Sequence, residues 1–200
     1  MYSCIFTAHC TELVCDKSCP IFAETSYLLE RNGISSDSFV FGKNEFNAES
    51  ILKILDSCKN SLGTYIVPKD SSTIRCADMI TYCAICQNWK GSRLHCDVYN
   101  LRYSRYLEEL RSSWSGRDSE DLEYMKIWAD SAKVLIVSNF DYINFGDFEC
   151  QTLLNLIQSR QTKNLSTVLV SPPLSNILSS KGSIFLKPLK DLMKSSMVTR

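Results

Sequence analysis

From about residue 20 to residue 171 the chain alternates short apolar runs with longer segments of helical periodicity. Pro20 can open a helix, because its missing N–H would be unpaired in a first turn anyway. Phe22, Leu28 and Leu29 give the segment Ile21 to Asn32 an apolar stripe, and Gly33 stops it. A polar stretch, 34–46, is anchored by Phe39, Phe41 and Phe46. Asn47 then caps a second expected helix, with Ile51, Leu52, Ile54, Leu55 and Cys58 on its apolar side. Gly63 to Val67 reads as a strand, Pro68 to Ser72 as a turn, and Thr73 to about Trp89 as a helix. A second strand is expected over Leu94–Tyr99, followed by a helix over Arg105–Ser113, a charged loop over Ser115–Asp118, and a helix from about Ser119 to Ala129. Lys133 to Val137 is a nearly continuous β-branched and aliphatic run, as in a strand buried on both faces. The helix 146–160 carries Phe148, Leu153, Leu154, Leu156 and Ile157, and the strand Ser166–Ser171 stops at Pro172-Pro173. Strands alternating with helices predict an α/β fold with a mainly parallel sheet.

Composition adds bounds. Two hundred residues suit one domain, or one with a small appendage, and 44% hydrophobic content is sufficient for a core. Formal charge is zero, so no global basic field advertises nucleic acid. Lys181, Lys187, Lys190, Lys194 and Arg200 crowd one end, as a solvated tail does. No apolar run has the length of a membrane span, and the first residues lack a basic n-region, so a cytoplasmic, reducing setting is expected.

That setting makes the ten cysteines notable, since a disulfide framework is not expected there. Four fall within the first nineteen residues, in the pattern Cys4-x5-Cys10-x4-Cys15-x3-Cys19, with His9 inside it. Four thiolates from one short segment can close the tetrahedral shell of a structural zinc and order a stretch too small for its own core. His9 is a possible substitute for Cys4 or Cys10. The competing reading is a tail of reduced surface cysteines. Cys83-Ala-Ile-Cys86 sits within a helix rather than at a helix N-terminus, and reads as core packing. His95 reads as a structural residue.

The strand-to-helix junction at 63–73 is where a phosphate-cradling loop sits in nucleotide-binding α/β proteins. Here the turn has no glycine and no Gly-Lys-Thr, and Lys69, Ser71, Ser72 and Thr73 are its phosphate-friendly groups. After the strand Val134–Val137 come Ser138 and Asn139, with Asp141 three residues beyond the first of them. Neutral side chains cannot replace the carboxylates that hold magnesium and polarise water.

Several local features carry a resemblance. They are Tyr27-Leu-Leu-Glu-Arg-Asn-Gly-Ile34, Thr64-Tyr-Ile-Val-Pro68, Val98-Tyr-Asn-Leu101 with Tyr106-Leu-Glu-Glu-Leu110, Val134-Leu-Ile-Val137, and Arg160 followed by Thr167-Val-Leu-Val-Ser171. Together they resemble the AAA+ P-loop ATPases of the DnaC-type helicase-loader family, including phage and transposon relatives, over roughly residues 20–185. The resemblance implies a P-loop NTPase-like parallel sheet flanked by helices, preceded by a small zinc-binding module over 1–33. The core, 34–200, has little room for a full lid. Lys69, Ser71, Ser72 and Thr73 then stand in a degenerate nucleotide loop, Ser138, Asn139 and Asp141 in a degenerate Walker B segment, and Ser171 at a sensor position. Arg160 is either an interface arginine reaching a neighbour's nucleotide or a solvated helix end. Arg102, Arg105 and Arg111, beside Tyr103 and Tyr106, either touch single-stranded DNA or belong to an ordinary amphipathic helix.

The function expected is a non-catalytic, helicase-loader-type accessory in DNA replication or mobile-element biology. Its partners would be a replicative helicase or an active AAA+ subunit, in a homo- or hetero-oligomer, with zinc as structural cofactor and ATP with magnesium doubtful. Two alternatives stand beside it: a divergent working ATPase using Lys69 and Thr73, and an inhibitory protein that blocks a host factor.

Overall fold

The computed structural model describes residues 14–16, 20–35, 38–40, 56, 63–67, 72–88, 97–117, 119–140, 143–173 and 182–196. Two sheets are present among them. Strands β1 (Val14–Asp16) and β2 (Ser38–Val40) pair antiparallel, with Cys15 opposite Phe39. The main sheet holds five parallel strands, β3 (Gly63–Ile66), β4 (Val98–Arg102), β5 (Val134–Ser138), β6 (Ser166–Val170) and β7 (Lys194–Ser196). Their order across the sheet is β4-β5-β6-β3-β7. Six helices are described: α1 (Pro20–Arg31), α2 (Thr73–Asn88), α3 (Tyr103–Trp114), α4 (Glu120–Ser131), α5 (Asp147–Thr162) and α6 (Gly182–Leu192).

Alternation along the strands sorts the core into two layers, because successive strand side chains point to opposite faces. Ile66, Val98, Ile136, Val168 and Val170 meet α1 and α2 on one face. Tyr65, Leu101, Leu135, Val137 and Leu169 meet α3 to α6 on the other. The α/β class and its parallel sheet flanked by helices, predicted from the alternation of strands and helices, are therefore present. The arrangement is compatible with a P-loop-like fold.

Helix α1 belongs to this core. Phe22, Leu28 and Leu29 are fully buried, and the Phe22 ring meets Tyr82 of α2 edge-on at 6.1 Å. The expected boundary between 33 and 34 is also bridged by the β1–β2 pair. Gly33 takes φ +70°, a left-handed turn at the helix end that glycine enters without a Cβ penalty.

Strand β4 begins at Val98, so of the expected strand Leu94–Tyr99 the described part shifts toward Arg102. Asn100 and Arg102 break the apolar pattern, and they are tolerated because side chains distant in sequence satisfy them. Helix α6 and strand β7 occupy what reads as a lysine-rich tail. Leu189 and Met193 are buried there, against the α5 side of the sheet. The helix expected over Ile51–Cys58 lies outside the described residues, except that Asp56 is helical.

Candidate functional site at the carboxyl edge of the sheet

Parallel sheets present ligand sites outside the carboxyl ends of their strands, where adjacent strands send their connections over opposite faces. Strands β3 and β6 meet this condition. They are neighbours; α2, the next described helix after β3, lies on one face, and α6, the next described helix after β6, lies on the other. The two strand ends are tied by the Ser171 N–H donating to Ile66 O at 3.2 Å, and by the Tyr65 hydroxyl donating to Pro172 O at 2.6 Å.

Of the expected phosphate loop, Lys69 and Ser71 lie outside the described residues. Ser72 caps α2: its Oγ accepts from the Arg75 N–H at 3.1 Å, as a helix-capping serine does. Thr73 is buried at the first turn. Ser171 is fully buried, and its hydroxyl donates to Pro172 O at 2.7 Å.

On the α2 side a compact polar network fills the carboxyl edge. Arg102 donates to Asp78 Oδ1 at 2.5 Å and to Ser138 Oγ at 3.4 Å. The Ser138 hydroxyl donates to Asn100 Oδ1 at 2.9 Å, and the Asn100 amide donates to Asp78 Oδ1 at 3.3 Å. Ser138 is fully buried. Burial pushes the Asp78 carboxyl up, against the lowering effects of the Arg102 charge and of the hydrogen bonds from Arg102 and Asn100. Burial, followed by the Asp78 charge, pushes the Cys76 thiol up to about 12, so that thiol stays protonated and inert.

Next along the chain, Asn139 adopts φ 64°, a left-handed conformation that asparagine tolerates better than most residues. Its side-chain amide donates to Ser104 Oγ at 2.7 Å. Asp141 lies outside the described residues. The described groups do not fit a divalent cation. A guanidinium, itself cationic, occupies the space beside Ser138 where a magnesium shell would need carboxylates.

Arg160 is neither an interface arginine nor a solvated helix end in this structure. It is 0% exposed. Its guanidinium donates to Thr167 Oγ1 at 3.0 Å, Ala129 O at 2.7 Å, Ala132 O at 2.8 Å and Ser166 O at 2.6 Å. Those acceptors join the end of α4 to the start of β6. Burial lowers its pKa to about 10, partly offset by the Asp130 charge, which still leaves it cationic at neutral pH.

The three arginines expected at a DNA surface each face a carboxylate: Arg102 with Asp78, Arg105 with Asp121 at 2.6 Å, and Arg111 with Glu149. They do not form one basic stripe.

Cys4, His9, Cys10 and Cys19 lie outside the described residues, and Cys15 is placed only as a backbone position in β1. Among the described residues no group of three or more histidine, cysteine or acidic side chains is placed to hold a metal. Cys83 is buried in the core. No helix among the described residues is long and apolar enough to cross a membrane. Asp78, the acidic member of the network, escapes sequence reasoning. Its signal is an aspartate on the otherwise apolar face of a helix between Cys76 and Met79. No protein-family model matches the chain, and a search of curated proteins finds no match.

Proposed function

We propose that this protein is a non-catalytic relative of P-loop ATPases of the helicase-loader type, working by contact rather than turnover in DNA replication or mobile-element biology. The observation that carries the reading is the network around Ser138. In a hydrolytic enzyme the end of this strand supplies carboxylates to a magnesium-bound nucleotide. Here the same position is neutral and already engaged with Asn100 and Arg102. The Asp78 carboxylate beside it is committed to Arg102. The opposed crossovers of β3 and β6 support the P-loop-like frame. The partner in this reading is a replicative helicase or an active ATPase subunit, met in the cytoplasm. A zinc module formed by Cys4, Cys10, Cys15 and Cys19 would grip it. Arg160, being buried, takes no part in that contact.

Calorimetry with ATP and magnesium on zinc-replete protein tests the proposal. The expected result is no heat of binding at millimolar ATP and no phosphate release. Micromolar binding, with turnover lost in Lys69→Ala, would instead favour the divergent working ATPase.

A further inference from the structure

Helix α1 is followed directly by Asn32-Gly33, the sole asparagine–glycine pair in the chain. That order of residues carries chemistry of its own. The backbone nitrogen after an asparagine can attack the side-chain carboxamide and close a succinimide ring. Glycine permits this best, because it has no Cβ to obstruct the approach. Every other asparagine in the chain is followed by a residue with a side chain.

The fold holds both reacting groups apart. Gly33 takes φ +70° in the turn that ends α1. Its N–H donates to Glu30 O at 2.9 Å, and the next N–H, from Ile34, donates to Leu29 O at 2.9 Å, the paired closure of a left-handed helix end. The nucleophile is therefore engaged. The carboxamide is engaged as well. Asn32 is 2% exposed, its Nδ2 donates to Leu28 O at 2.7 Å, and its Oδ1 accepts from the Asn100 N–H of β4 at 2.6 Å. Asn32 is thus a clasp between the end of α1 and the outer strand of the main sheet. Leu28 and Leu29 are fully buried beside it, and Arg31 lies over the Trp128 ring of α4, 4.0 Å from its centroid. Water is close at hand. Gly33 is exposed, and with Asn32 it lines a small open cleft of about 60 Å³. That is ample beside the roughly 15 Å³ that one water needs.

We infer that Asn32-Gly33 is a deamidation site held shut by the docking of α1 on β4, and that its conversion makes release of α1 irreversible. Once the end of α1 leaves the strand, the Gly33 nitrogen attacks the Asn32 carboxamide carbon. The new C–N bond closes the ring, the Gly33 amide proton passes to the leaving nitrogen, and ammonia departs. One water then opens the ring to aspartate or isoaspartate. Neither product restores the clasp. An aspartate keeps an acceptor for the Asn100 N–H, but it turns an oxygen toward Leu28 O where Nδ2 had donated, and buried acceptors without a donor between them are costly. An isoaspartate also lengthens the main chain at the turn, which displaces the Gly33 and Ile34 N–H groups from their carbonyls. The site lies at the far edge of the sheet from β3 and does not depend on any nucleotide reading.

The test uses the full chain, incubated in mildly alkaline buffer with and without urea and sampled by peptide mass spectrometry, which reads the replacement of NH₂ by OH at each asparagine. In urea the conversion should concentrate at Asn32. In the native protein it should run at least about a hundredfold slower, equivalent to about 2.8 kcal/mol of local opening. Arg31→Ala, which loosens the helix end without altering the reacting pair, should raise the native rate severalfold and leave the rate in urea unchanged. Asn32→Asp should speed hydrogen exchange at the Asn100 amide while β5 and β6 stay protected. Conversion in urea no faster at Asn32 than at other asparagines overturns the site. Native conversion at the rate seen in urea overturns its protection. A native rate that Arg31→Ala leaves unchanged overturns the link to α1, and unaltered exchange at Asn100 in Asn32→Asp overturns the irreversible release.

Discussion

A buried arginine and a partly buried one sit at opposite ends of the same sheet and are built differently. Arg160, at the amino ends of β5 and β6, meets three backbone carbonyls and a threonine hydroxyl, and none of its hydrogen bonds goes to a carboxylate. Arg102, at the carboxyl end of β4, meets a carboxylate and a serine while keeping 19% of its side chain exposed. The first holds carbonyls at the end of α4 and the start of β6. The second holds a carboxylate, Asp78, that keeps some contact with solvent, and it lines an open cleft. In a parallel sheet the amino edge is closed for stability, and the carboxyl edge keeps polar groups within reach of solvent. The sequence around the two residues does not show this division.

The largest effect is expected at Arg160. Arg160→Met leaves the carbonyls of Ala129, Ala132 and Ser166 without their donor, at about 1–3 kcal/mol for each group left unsatisfied. Partial hydration reduces the sum to on the order of 4 kcal/mol, a large share of a typical domain's stability. Arg160→Lys keeps the charge but cannot fork to all of these acceptors, and should lose about half as much. Urea denaturation measures both. Arg102→Met, in contrast, should cost about 1–2 kcal/mol, because Asp78 is near enough to solvent to hydrate. Equal losses at the two sites would remove the contrast drawn between the edges.

An intermediate effect is expected where β7 joins the sheet. A Cβ on Gly63 would lie 2.6 Å from Met193 Sδ and 2.8 Å from Leu192 O. The methionine can move, but the carbonyl belongs to the backbone that leads into β7. Gly63→Ala should therefore cost about 1–3 kcal/mol as an overpacked contact. Hydrogen exchange should speed up in β7 and along the β3 edge that faces it, while β4 and β5 remain protected.

Much of the fold was legible because it rests on local periodicity. The strands at β3, β5 and β6 are apolar runs, and the stripes of α1 and α5 follow helical spacing. The missed elements depend on partners far along the chain. Asn100 and Arg102 look unlike strand residues until Asp78 and Ser138 are brought beside them by the fold. Helix α6 contains Pro188 and two lysines, Lys187 and Lys190, and only packing on the α5 side makes Leu189, and Met193 just past the helix, core residues. Arg160 was unreadable for another reason. Its acceptors are mostly backbone carbonyls, which every residue carries, so nothing in the sequence marks them. The neutral character of Ser138 and Asn139 was plain from the sequence. The network that makes Ser138 unavailable was not.

The smallest effect concerns the two carboxylates that these arginine-rich surfaces hold, and it has opposite signs. Burial raises Glu149, but hydrogen bonds from its own N–H and the Gly146 N–H, together with Arg111, outweigh it, so its pKa falls below the usual 4.5. Its Oε2 accepts from the Gly146 N–H at 2.7 Å, the returning half of a capping box whose first residue has no side chain to give. Stability from Glu149 is therefore present above pH 4.5 and is lost as pH falls through the lowered value. Asp78 is raised, so its contribution is complete below its ordinary 3.8 and declines as pH rises toward the folded value. Glu149→Gln should cost about 1 kcal/mol at neutral pH, the usual worth of a helix cap, and flatten the acid limb of the stability curve. Asp78→Asn should steepen the net rise of stability with pH above 3.8, because it removes the opposing term. Chemical denaturation between pH 3 and 7 on both variants separates the two. If both flattened the curve in the same direction, burial would not govern Asp78, and Arg102 would hold it as an ordinary ion pair.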